Sequence, residues 1–319
     1  MVLKGKNTHL MKKNTMDNIL QKFINDFRTG FFVRVGSKEH DLFIGKDDEG
    51  RYCFEYRGNF TPVKLVGSEF LAINQYKDTN STKILRISLA KDEVIGCFIA
   101  FCEDLTASVE GIVDDNVVYK TLIARFQSWR KLFKSDNSVL TENEIIGLMA
   151  ELLFLKDWAI PHWGIDEALS SWTGPECTHK DFSKGNEWFE IKAISNGKET
   201  VRISSIEQLD SEDEGYLSVY SFEKMSPSFD GVNLNALVQE FMDILNTVQK
   251  DCLLEKLSTI GFNFSPAYDG YVYDIKDQSF YKVTEDFPRI RRASIPLSIS
   301  KVAYDLILSE IQCFKVNLA

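Results

Sequence analysis

The sequence has no apolar run of membrane-spanning length, which argues against an integral membrane protein and against a membrane partner. The opening stretch MVLKGKNTHLMKKNTMDN is polar and basic and lacks an apolar segment, so it does not resemble a secretory signal. The six cysteines form no C-x-x-C pair, and the four histidines show no zinc-ligand spacing. Scattered, unpaired cysteines are typical of a reducing compartment, so we expect a cytoplasmic protein.

Positive charge is also scarce in this chain. It has 37 Lys and Arg against 47 Asp and Glu, a formal net charge of −10, which argues against a polycation that coats nucleic acid without specificity. Binding depends on local patches, however, and two basic segments remain. One lies on a predicted helix over 117–134, and the other is the loop FPRIRRASIP. Each is either a surface that is solvated or paired with the protein's own acids, or a surface that contacts phosphates.

The pattern of apolar residues divides the chain into three predicted parts. Residues 1–15 form a leader, residues 16–115 form a β-rich domain that begins with a short helix, and residues 116–319 form a second domain. Short β-rich runs, among them VIGCFIAFCEDL, predict antiparallel strands in the first domain. Helical spacing of apolar residues predicts helices over 117–134, 142–158, 233–257 and 300–314.

The stretch CTHKDFSKGNEWFEIKAI predicts a β-hairpin with its turn at residues 183–186. Because side chains alternate along a strand, Glu190 and Lys192 face one side while their neighbours hold the strand on the core. A hairpin brings Asp181 beside Glu190, and two close carboxylates repel unless a cation lies between them. Oxygen ligands of this kind suit Mg²⁺, with Lys192 in reach of a coordinated water. The alternative is a solvated strand face.

A second carboxylate in an unusual place precedes this hairpin. The helix predicted over 142–158 begins with a capping box formed by Thr141 and Glu144, and Glu151 then falls among apolar residues in GLMAELLFL. A buried glutamate is costly unless it is paired or binds a metal. Glu151 is therefore either a member of a site or a glutamate at the edge of the core that reaches water or an arginine.

The chain contains one other acid-x-Lys triplet, Asp274-Ile275-Lys276, in YDGYVYDIKDQSFYKV. We predict a hairpin there as well, with the triplet on its exposed face. The nearest upstream acid, Asp269, lies in a tight turn, and no glutamate embedded in a helix precedes it. Of the two triplets, only Glu190-Ile191-Lys192 follows both a glutamate embedded in a helix, Glu151, and an aspartate on the neighbouring strand, Asp181.

These residues resemble the motif of the PD-(D/E)xK nuclease superfamily, which includes many restriction endonucleases. The matching elements, in chain order, are Glu151 in an amphipathic helix, Asp181, Glu190-x-Lys192, and a strand followed by a helix that bears Gln208. Position 180 is Lys where the motif has Pro. The segments NEIIGLMAELLFL, HKDF, FEIKA, VRISSIEQL and FPRIRRASIP are similar to one bacterial family within it, from about Asn143 to the C-terminus.

The resemblance implies an α+β or α/β fold, with a restriction-endonuclease-like mixed sheet flanked by helices and preceded by the β-rich domain. It implies hydrolysis of DNA phosphodiester bonds with Mg²⁺, or with Mn²⁺ in its place, in a bacterial restriction or phage-defence system. Asp181, Glu190 and the carbonyl of Ile191 would bind the metal, and Glu151 would complete that site. Lys192 would orient or deprotonate the attacking water, and Gln208 would lie near the nucleic-acid backbone.

Basic residues on both segments, and one arginine on a predicted strand, are the expected phosphate contacts. They are Lys120, Arg130, Lys131, Lys134, Arg202, Arg289, Arg291 and Arg292. Two other functions stay open. The chain is alternatively a non-catalytic DNA-binding or scaffold subunit whose β-rich domain docks a partner such as an ATPase. A glycosidase with paired carboxylates leaves Lys192 without a role. Cleavage of both DNA strands favours a homodimer, although no interface pattern is evident.

Overall fold

The computed structural model describes residues 28–133, 139–176 and 179–318. The predicted leader, the predicted helix at residues 16–27 and Lys134 lie outside these ranges. Contacts divide the chain into two compact units. The first comprises the residues up to Asn137 together with Asn263–Ser265, and the second comprises Ser138–Phe262 and Pro266–Ala319. The boundary expected between residues 115 and 116 stays a prediction.

The first unit contains a five-stranded antiparallel sheet, which confirms the β structure predicted for this region. Its strands are β1 (Phe32–Val35), β2 (Asp41–Lys46), β3 (Tyr52–Gly58), β4 (Leu71–Lys77) and β5 (Lys83–Leu89). They lie in the order β1-β2-β3-β5-β4. Alternate residues on one face, such as Phe54, Tyr56 and Ile87, are buried. Cys53, Glu55 and Ser88 on the opposite face are buried as well, so the central strands β3 and β5 are covered on both faces.

In the described part of the first unit the sheet is accompanied by two helices, α1 (Ile95–Ser108) and α2 (Asp115–Trp129). The strand predicted from VIGCFIAFCEDL was wrong, because its buried residues Phe98, Phe101 and Leu105 recur at helical spacing. Helix α2 agrees with its prediction, and the side chain of Asp114 caps its first turn. Arg125 of α2 is buried and donates to Asp104 at 2.7 Å.

The second unit contains a mixed five-stranded sheet, so the mixed α+β class is confirmed. Its strands are β6 (Phe182–Lys184), β7 (Glu187–Ser195), β9 (Glu214–Met225), β10 (Val272–Val283) and β12 (Lys315–Val316). The order is β12-β10-β9-β7-β6, with β7 parallel to β9 and the other pairs antiparallel. A separate antiparallel pair joins β8 (Thr200–Ile203) to β11 (Tyr304–Ile307). The predicted hairpin of β6 and β7 is therefore confirmed.

Five helices of the described chain belong to this unit. They are α3 (Glu142–Phe154), α4 (Ile160–Trp163), α5 (Ile165–Ser171), α6 (Leu234–Ile244) and α7 (Thr247–Ile260). The capping box predicted at the start of α3 is present, and a π turn links α3 to α4. The single helix predicted over 233–257 is interrupted at Leu245, whose backbone is extended, and Asn246 caps α7. No described helix is both long enough and apolar enough to cross a membrane.

Two further predictions for the second unit were wrong. The hairpin expected in YDGYVYDIKDQSFYKV is one long strand, β10, which pairs with β9 past an irregularity between Ile275 and Asp277. Its middle has no Gly or Pro that favours a reversal. The helix expected over 300–314 is strand β11 followed by a 3₁₀ segment, Leu308–Phe314. Tyr304 and Leu306 pack there on the core of the second unit.

Strand β7 lies between two apolar layers, as its alternation predicts. Phe189 packs against Phe154 of α3, with ring centroids 4.9 Å apart. Trp188 and Ile194 belong to a separate apolar cluster that also contains Leu217 of β9. Glu190 and Lys192 occupy the two positions between Trp188 and Ile194 on their side of the strand. The sheet thus fixes a carboxylate and an amine within the core rather than at its surface.

Candidate active site

Side chains from three places in the second unit come together around β7. Lys192 Nζ donates to Glu190 Oε1 at 2.6 Å, and Asp181 Oδ2 accepts the backbone N–H of Ile191 at 2.6 Å. Asp181 therefore lies across the hairpin turn from Glu190, as the spacing predicts. Glu151 of α3 interacts electrostatically with both Asp181 and Glu190. The structure thus brings together the four residues predicted at the centre of the site.

Gly174 adjoins this cluster, which leaves space between two of the carboxylates. A Cβ added at Gly174 would lie 3.0 Å from Glu151 Oε2 and 3.2 Å from Asp181 Oδ1. The backbone of this turn is held in place, because Thr173 N and Gly174 N donate to the carbonyl of Asp181 at 2.8 and 2.9 Å. Oxygens of Glu151 and Asp181 therefore converge on a space that any larger residue would fill.

Burial dominates the electrostatics of the cluster. Burial, together with the charge of Asp181, raises the pKa of Glu190 to about 8, although Lys192 opposes the shift. Burial and the charge of Asp181 also raise the pKa of Glu151 well above its usual value, and burial raises the pKa of Asp181. Burial alone would lower the pKa of Lys192, but the nearby carboxylates raise it. Three carboxyl groups thus lie near Lys192, and the charge of Lys180 acts on Asp181 and Glu190 as well, so acids outnumber lysines in the site.

One oxygen of Glu190 is left without a partner. Oε2 is buried and accepts no hydrogen bond from the residues that the structure describes. A buried carboxylate oxygen without a partner is costly, and a hard divalent cation with oxygen ligands is one group that would satisfy it. The donor set and the space at Gly174 therefore fit such an ion. Within the described ranges, however, no three acidic, histidine or cysteine side chains are arranged as metal ligands.

Two residues that the motif did not indicate contact the site. The indole Nε1 of Trp172, which is fully buried, donates to Glu151 Oε2 at 2.7 Å. Lys256 of α7 donates to the carbonyl of Trp172 at 2.6 Å and holds this turn against the helix. Trp172 lies in an irregular segment with no periodic pattern, so nothing in the sequence signals its contact with Glu151.

Lys180 occupies the position where the motif has proline. Its Nζ donates to the carbonyls of Glu207 and Gln208 at 2.8 and 2.7 Å, and lies 3.7 Å from the ring centroid of Trp188. Burial lowers the pKa of Lys180 to about 8. The lysine ties the start of the hairpin to the turn that follows β8. The sequence alone identified Lys180 only as a residue that differs from the proline of the motif, and it predicted none of these contacts.

Gln208 does not join the cluster through its side chain. Its Oε1 accepts the backbone N–H of Ser204 at 2.7 Å and completes a capping box with Ser205. The helix expected there is a single 3₁₀ turn, Ile206–Gln208. Ile191 meets the cluster through its backbone N–H, which donates to Asp181. The roles predicted for the Gln208 side chain and for the Ile191 carbonyl stay predictions.

The arginines of the second unit are engaged by the protein itself. Arg289 is nearly buried and donates to the carbonyls of Leu209 and Ser211 at 2.7 and 3.0 Å. Arg291 pairs with Glu285, and Arg292 donates to the carbonyl of Ile299 at 2.8 Å. Arg202 of β8 is exposed and lies 3.4 Å from Asp305 of β11. Their contacts with phosphate stay predictions.

The remaining basic residues belong to the first unit. Lys120 is exposed on α2, and Arg130 and Lys131 are exposed just beyond its end. Lys134 lies outside the described residues. None of the three described side chains is part of the carboxylate cluster, which belongs to the second unit. A role for them in phosphate binding likewise stays a prediction.

A family model described as "Putative PD-(D/E)XK family member, (DUF4420)" matches residues 25–309. The match begins well before Asn143, where the similarity was expected to start, and so includes the β-rich region. It contains all four residues of the cluster. Neither the curated proteins nor the solved structures give a match to the chain.

Proposed function

The chain belongs to this PD-(D/E)XK family, and from that premise we propose that it is a metal-dependent endonuclease that hydrolyses phosphodiester bonds of DNA. The observation that carries the proposal is the buried oxygen of Glu190, which has no described partner although Asp181 and Lys192 adjoin the same carboxylate. Three buried carboxyl groups beside Lys192 and Lys180 exceed what a structural ion pair needs, and such an excess is costly. It is the arrangement expected of a site that receives a cation.

Glu190, Asp181 and Glu151 are the residues that would hold Mg²⁺, or Mn²⁺ in its place. Such an ion, when bound, stabilises negative charge on phosphate oxygens and lowers the pKa of coordinated water. Lys192 contributes a fixed positive charge at the place where negative charge increases on the phosphate during attack by water. Trp172 orients Glu151 through its indole N–H, and the backbone N–H of Ile191 orients Asp181.

The biological setting is part of the proposal and rests on the sequence resemblance. We place the enzyme in a bacterial restriction or phage-defence system, with DNA as its substrate. Two copies acting together, or a partner ATPase on the first unit, would fit such a system. The resemblance supports each of these points, and the geometry of the cluster is independent of them.

Plasmid nicking tests the proposal, with a matched control that the chain itself supplies. We expect nicking by the wild type with Mg²⁺ or Mn²⁺ and none with EDTA. Asp181→Asn and Lys192→Met should each lower the rate at least about a hundredfold, since each removes a charged group at the reacting phosphate. Asp274→Asn changes an exposed acid-x-Lys triplet and should leave the rate unaltered. A folded wild type that binds neither metal and nicks no plasmid would refute the proposal.

A second candidate function is a non-catalytic binding or scaffold subunit. The observation that favours it is the engagement of Arg289, Arg291 and Arg292 by acceptors within the chain, which leaves less positive charge for DNA. Asp181→Asn separates the two functions in a defence assay in cells. Loss of protection with normal protein level and partner binding indicates an enzyme, whereas full protection indicates a scaffold.

A further inference from the structure

The sheet of the first unit has two different faces. On one face the buried residues lead to the helices, and the hydroxyl of Tyr56 donates to Asp115 of α2 at 2.8 Å. The strand register places a different set of side chains on the other face. These side chains are flat and partly exposed, and they alternate between arginines and aromatic rings. The set consists of Arg34, Phe43, Arg57, Phe32, Arg86 and Tyr76, and we call it the arginine–aromatic ladder.

The arginine–aromatic ladder is continuous across all five strands. The guanidinium carbon of Arg57 lies 4.2 Å from the ring centroid of Phe43 and 5.5 Å from that of Phe32. The guanidinium carbon of Arg86 lies 5.4 Å from the Phe32 centroid and 5.2 Å from the Tyr76 centroid. At the other end, the guanidinium carbon of Arg34 lies 5.5 Å from the ring of Phe43. Each separation is within the range of a cation–π contact.

A buried glutamate holds the middle of the ladder in place. Glu55 is fully buried, and its Oε1 accepts from Arg86 Nε at 2.6 Å and from the hydroxyl of Tyr76 at 3.1 Å. Its Oε2 accepts from Arg57 at 2.7 Å. The negative charge thus lies beneath the surface, while the side chains of Arg57 and Arg86 remain 32% and 16% exposed. Arg86 also lies 3.8 Å from Asp48, and Arg34 pairs with Asp41. The three arginines of this face are thus held in place by acids, while their planar groups stay in contact with the rings.

A glycine makes room for the ring at the centre of the ladder. A Cβ added at Gly45 would lie 2.9 Å from Phe32 Cδ1 and 2.2 Å from the carbonyl oxygen of Phe31. Only a residue without a side chain lets Phe32 lie across β2 toward the two arginines. The planar groups are therefore positioned by the sheet, by Glu55 and by Gly45 before any partner arrives. Such preorganisation lowers the entropic cost of binding.

We propose that the arginine–aromatic ladder binds single-stranded nucleic acid. Unpaired bases stack on aromatic rings and on guanidinium planes, and the ladder offers both in one row. A strand laid across the sheet meets successive planar groups, so the bases of a single strand are the part of a nucleic acid that this surface fits. A duplex keeps its bases stacked on one another and has no free base faces for the ladder. The ladder consists of residues of the first unit, whereas the carboxylate cluster consists of residues of the second.

Fluorescence anisotropy with a labelled oligothymidylate tests the proposal, using the full chain in EDTA so that no cleavage occurs. We expect Phe43→Leu and Tyr76→Leu each to weaken binding at least about fivefold, the lower range for loss of one base stack. Phe229→Leu is the matched control, because Phe229 and Tyr76 are equally exposed, at 39% each, and Phe229 lies in the second unit. It should leave the affinity unchanged. A duplex of the same sequence should compete poorly.

Photo-crosslinking of the wild type to an oligonucleotide that contains 5-bromodeoxyuridine gives a second readout that does not depend on the folding of variants. Crosslinked peptides from β1, β2 or β4 are expected. Absence of oligothymidylate binding, equal affinity of all variants, or crosslinks confined to the second unit would each overturn the proposal. Asp181→Asn should bind the oligonucleotide like the wild type. Loss of nicking without loss of binding would therefore concern the carboxylate cluster alone, and loss of binding in the ladder variants would concern the ladder alone.

Discussion

Strands β7 and β10 carry the same short motif in opposite surroundings. Glu190 is fully buried, and its lysine partner is only 16% exposed. Asp274 and Lys276 form a pair of similar length, 2.8 Å, on an exposed part of β10, where Lys276 also bonds Glu223. Water solvates the pair of Asp274 and Lys276, including the additional charge of Glu223. The pair of Glu190 and Lys192 is buried, and there the negative charges of Asp181 and Glu151 are not screened by water.

Burial of the triplet, rather than the acid-x-Lys sequence itself, therefore distinguishes the candidate site on β7 from the pair on β10. An acid-x-Lys sequence on a strand always places both side chains on one face. Where that face lies within the core, burial raises the pKa of the carboxyl group of Glu190 and leaves one of its oxygens without a described partner. Substitutions that change one feature of the buried triplet at a time, with an exposed counterpart as control, separate the effect of burial from that of the sequence.

The largest difference is expected between the two lysines. Lys192→Met leaves Glu190 buried without a cation, and breaking a buried pair costs about 3–5 kcal/mol of unfolding free energy. Protonation of Glu190 should recover part of that loss, because its pKa already stands at about 8. Lys276→Met should leave unfolding unchanged within error. Urea denaturation of both variants near neutral pH measures the contrast, and equal losses would show that burial of the triplet has no energetic effect.

A pH series extends the contrast to Glu190 itself. Because the folded-state pKa is raised from 4.5 to about 8, the folded protein binds more protons than the unfolded chain between these values. In the absence of metal, the contribution of Glu190 to stability is therefore present below about pH 4.5. It is lost as the pH rises through about 8, by a few kcal/mol at most.

Glu190→Gln should flatten the decline in stability over this pH range, and Mg²⁺ should flatten it in the wild type. Denaturant midpoints at several pH values, with and without EDTA, measure both effects. Asp274→Asn serves as the exposed control and should reproduce the wild-type curve. A wild-type curve that rises over the same range would contradict the assignment of a raised pKa to Glu190.

The space at Gly174 is the next feature that sets the buried triplet apart. Gly174→Ala would place a methyl group beside oxygens of Glu151 and Asp181, so we expect Mg²⁺ or Mn²⁺ binding to weaken about tenfold, as loss of well-placed ligand support typically does. Gly147→Ala on α3 meets nothing within 4 Å and should raise stability by about 0.5–1 kcal/mol with metal binding unchanged. Isothermal titration calorimetry compares them, and equal metal affinity would remove Gly174 from the site.

Local signals account for what the sequence predicted correctly. The hairpin of Asp181 and Glu190 follows from alternation around a turn, and the start of α3 follows from the Thr141–Glu144 capping box. Both patterns depend on residues close together in the chain. The hairpin places Asp181, Glu190 and Lys192 together, whereas the placement of Glu151 beside them came from the resemblance to the PD-(D/E)xK superfamily.

What the sequence did not predict depends on distant contacts or on ambiguous patterns. The apolar run of α1 satisfies strand and helix patterns alike, and only packing against α2 decides between them. Glu55 meets Arg86 through strand pairing 31 residues apart, so the ladder has no local pattern. Glu55 is fully buried, although no residue near it in the chain indicates a buried acid. The neighbours of Glu55 on β3 are known only once the pairing of β3 with β5 is known.

Metal affinity should change least when Trp172 is replaced. Its indole N–H gives Glu151 a hydrogen bond that an exposed carboxylate would receive from water. Trp172→Phe keeps an aromatic ring but removes the N–H that donates to Glu151 Oε2. Since that hydrogen bond lowers the pKa of Glu151, its loss should raise the pKa further and make metal binding more sensitive to acid. We expect a stability loss of about 1–3 kcal/mol, as for a buried acceptor left unpaired.

Calorimetric titration with Mn²⁺ at several pH values measures the effect of Trp172→Phe on Glu151. The expected result is a shift of the pH dependence of metal affinity toward higher pH, with the affinity at high pH nearly retained. Trp163→Phe is the control, because Trp163 packs edge-on against Trp158 and is not bonded to the carboxylates. A uniform loss of affinity at every pH would mean that Trp172 supports only the packing of its turn, and Glu151 would then need no hydrogen bond to act in the site.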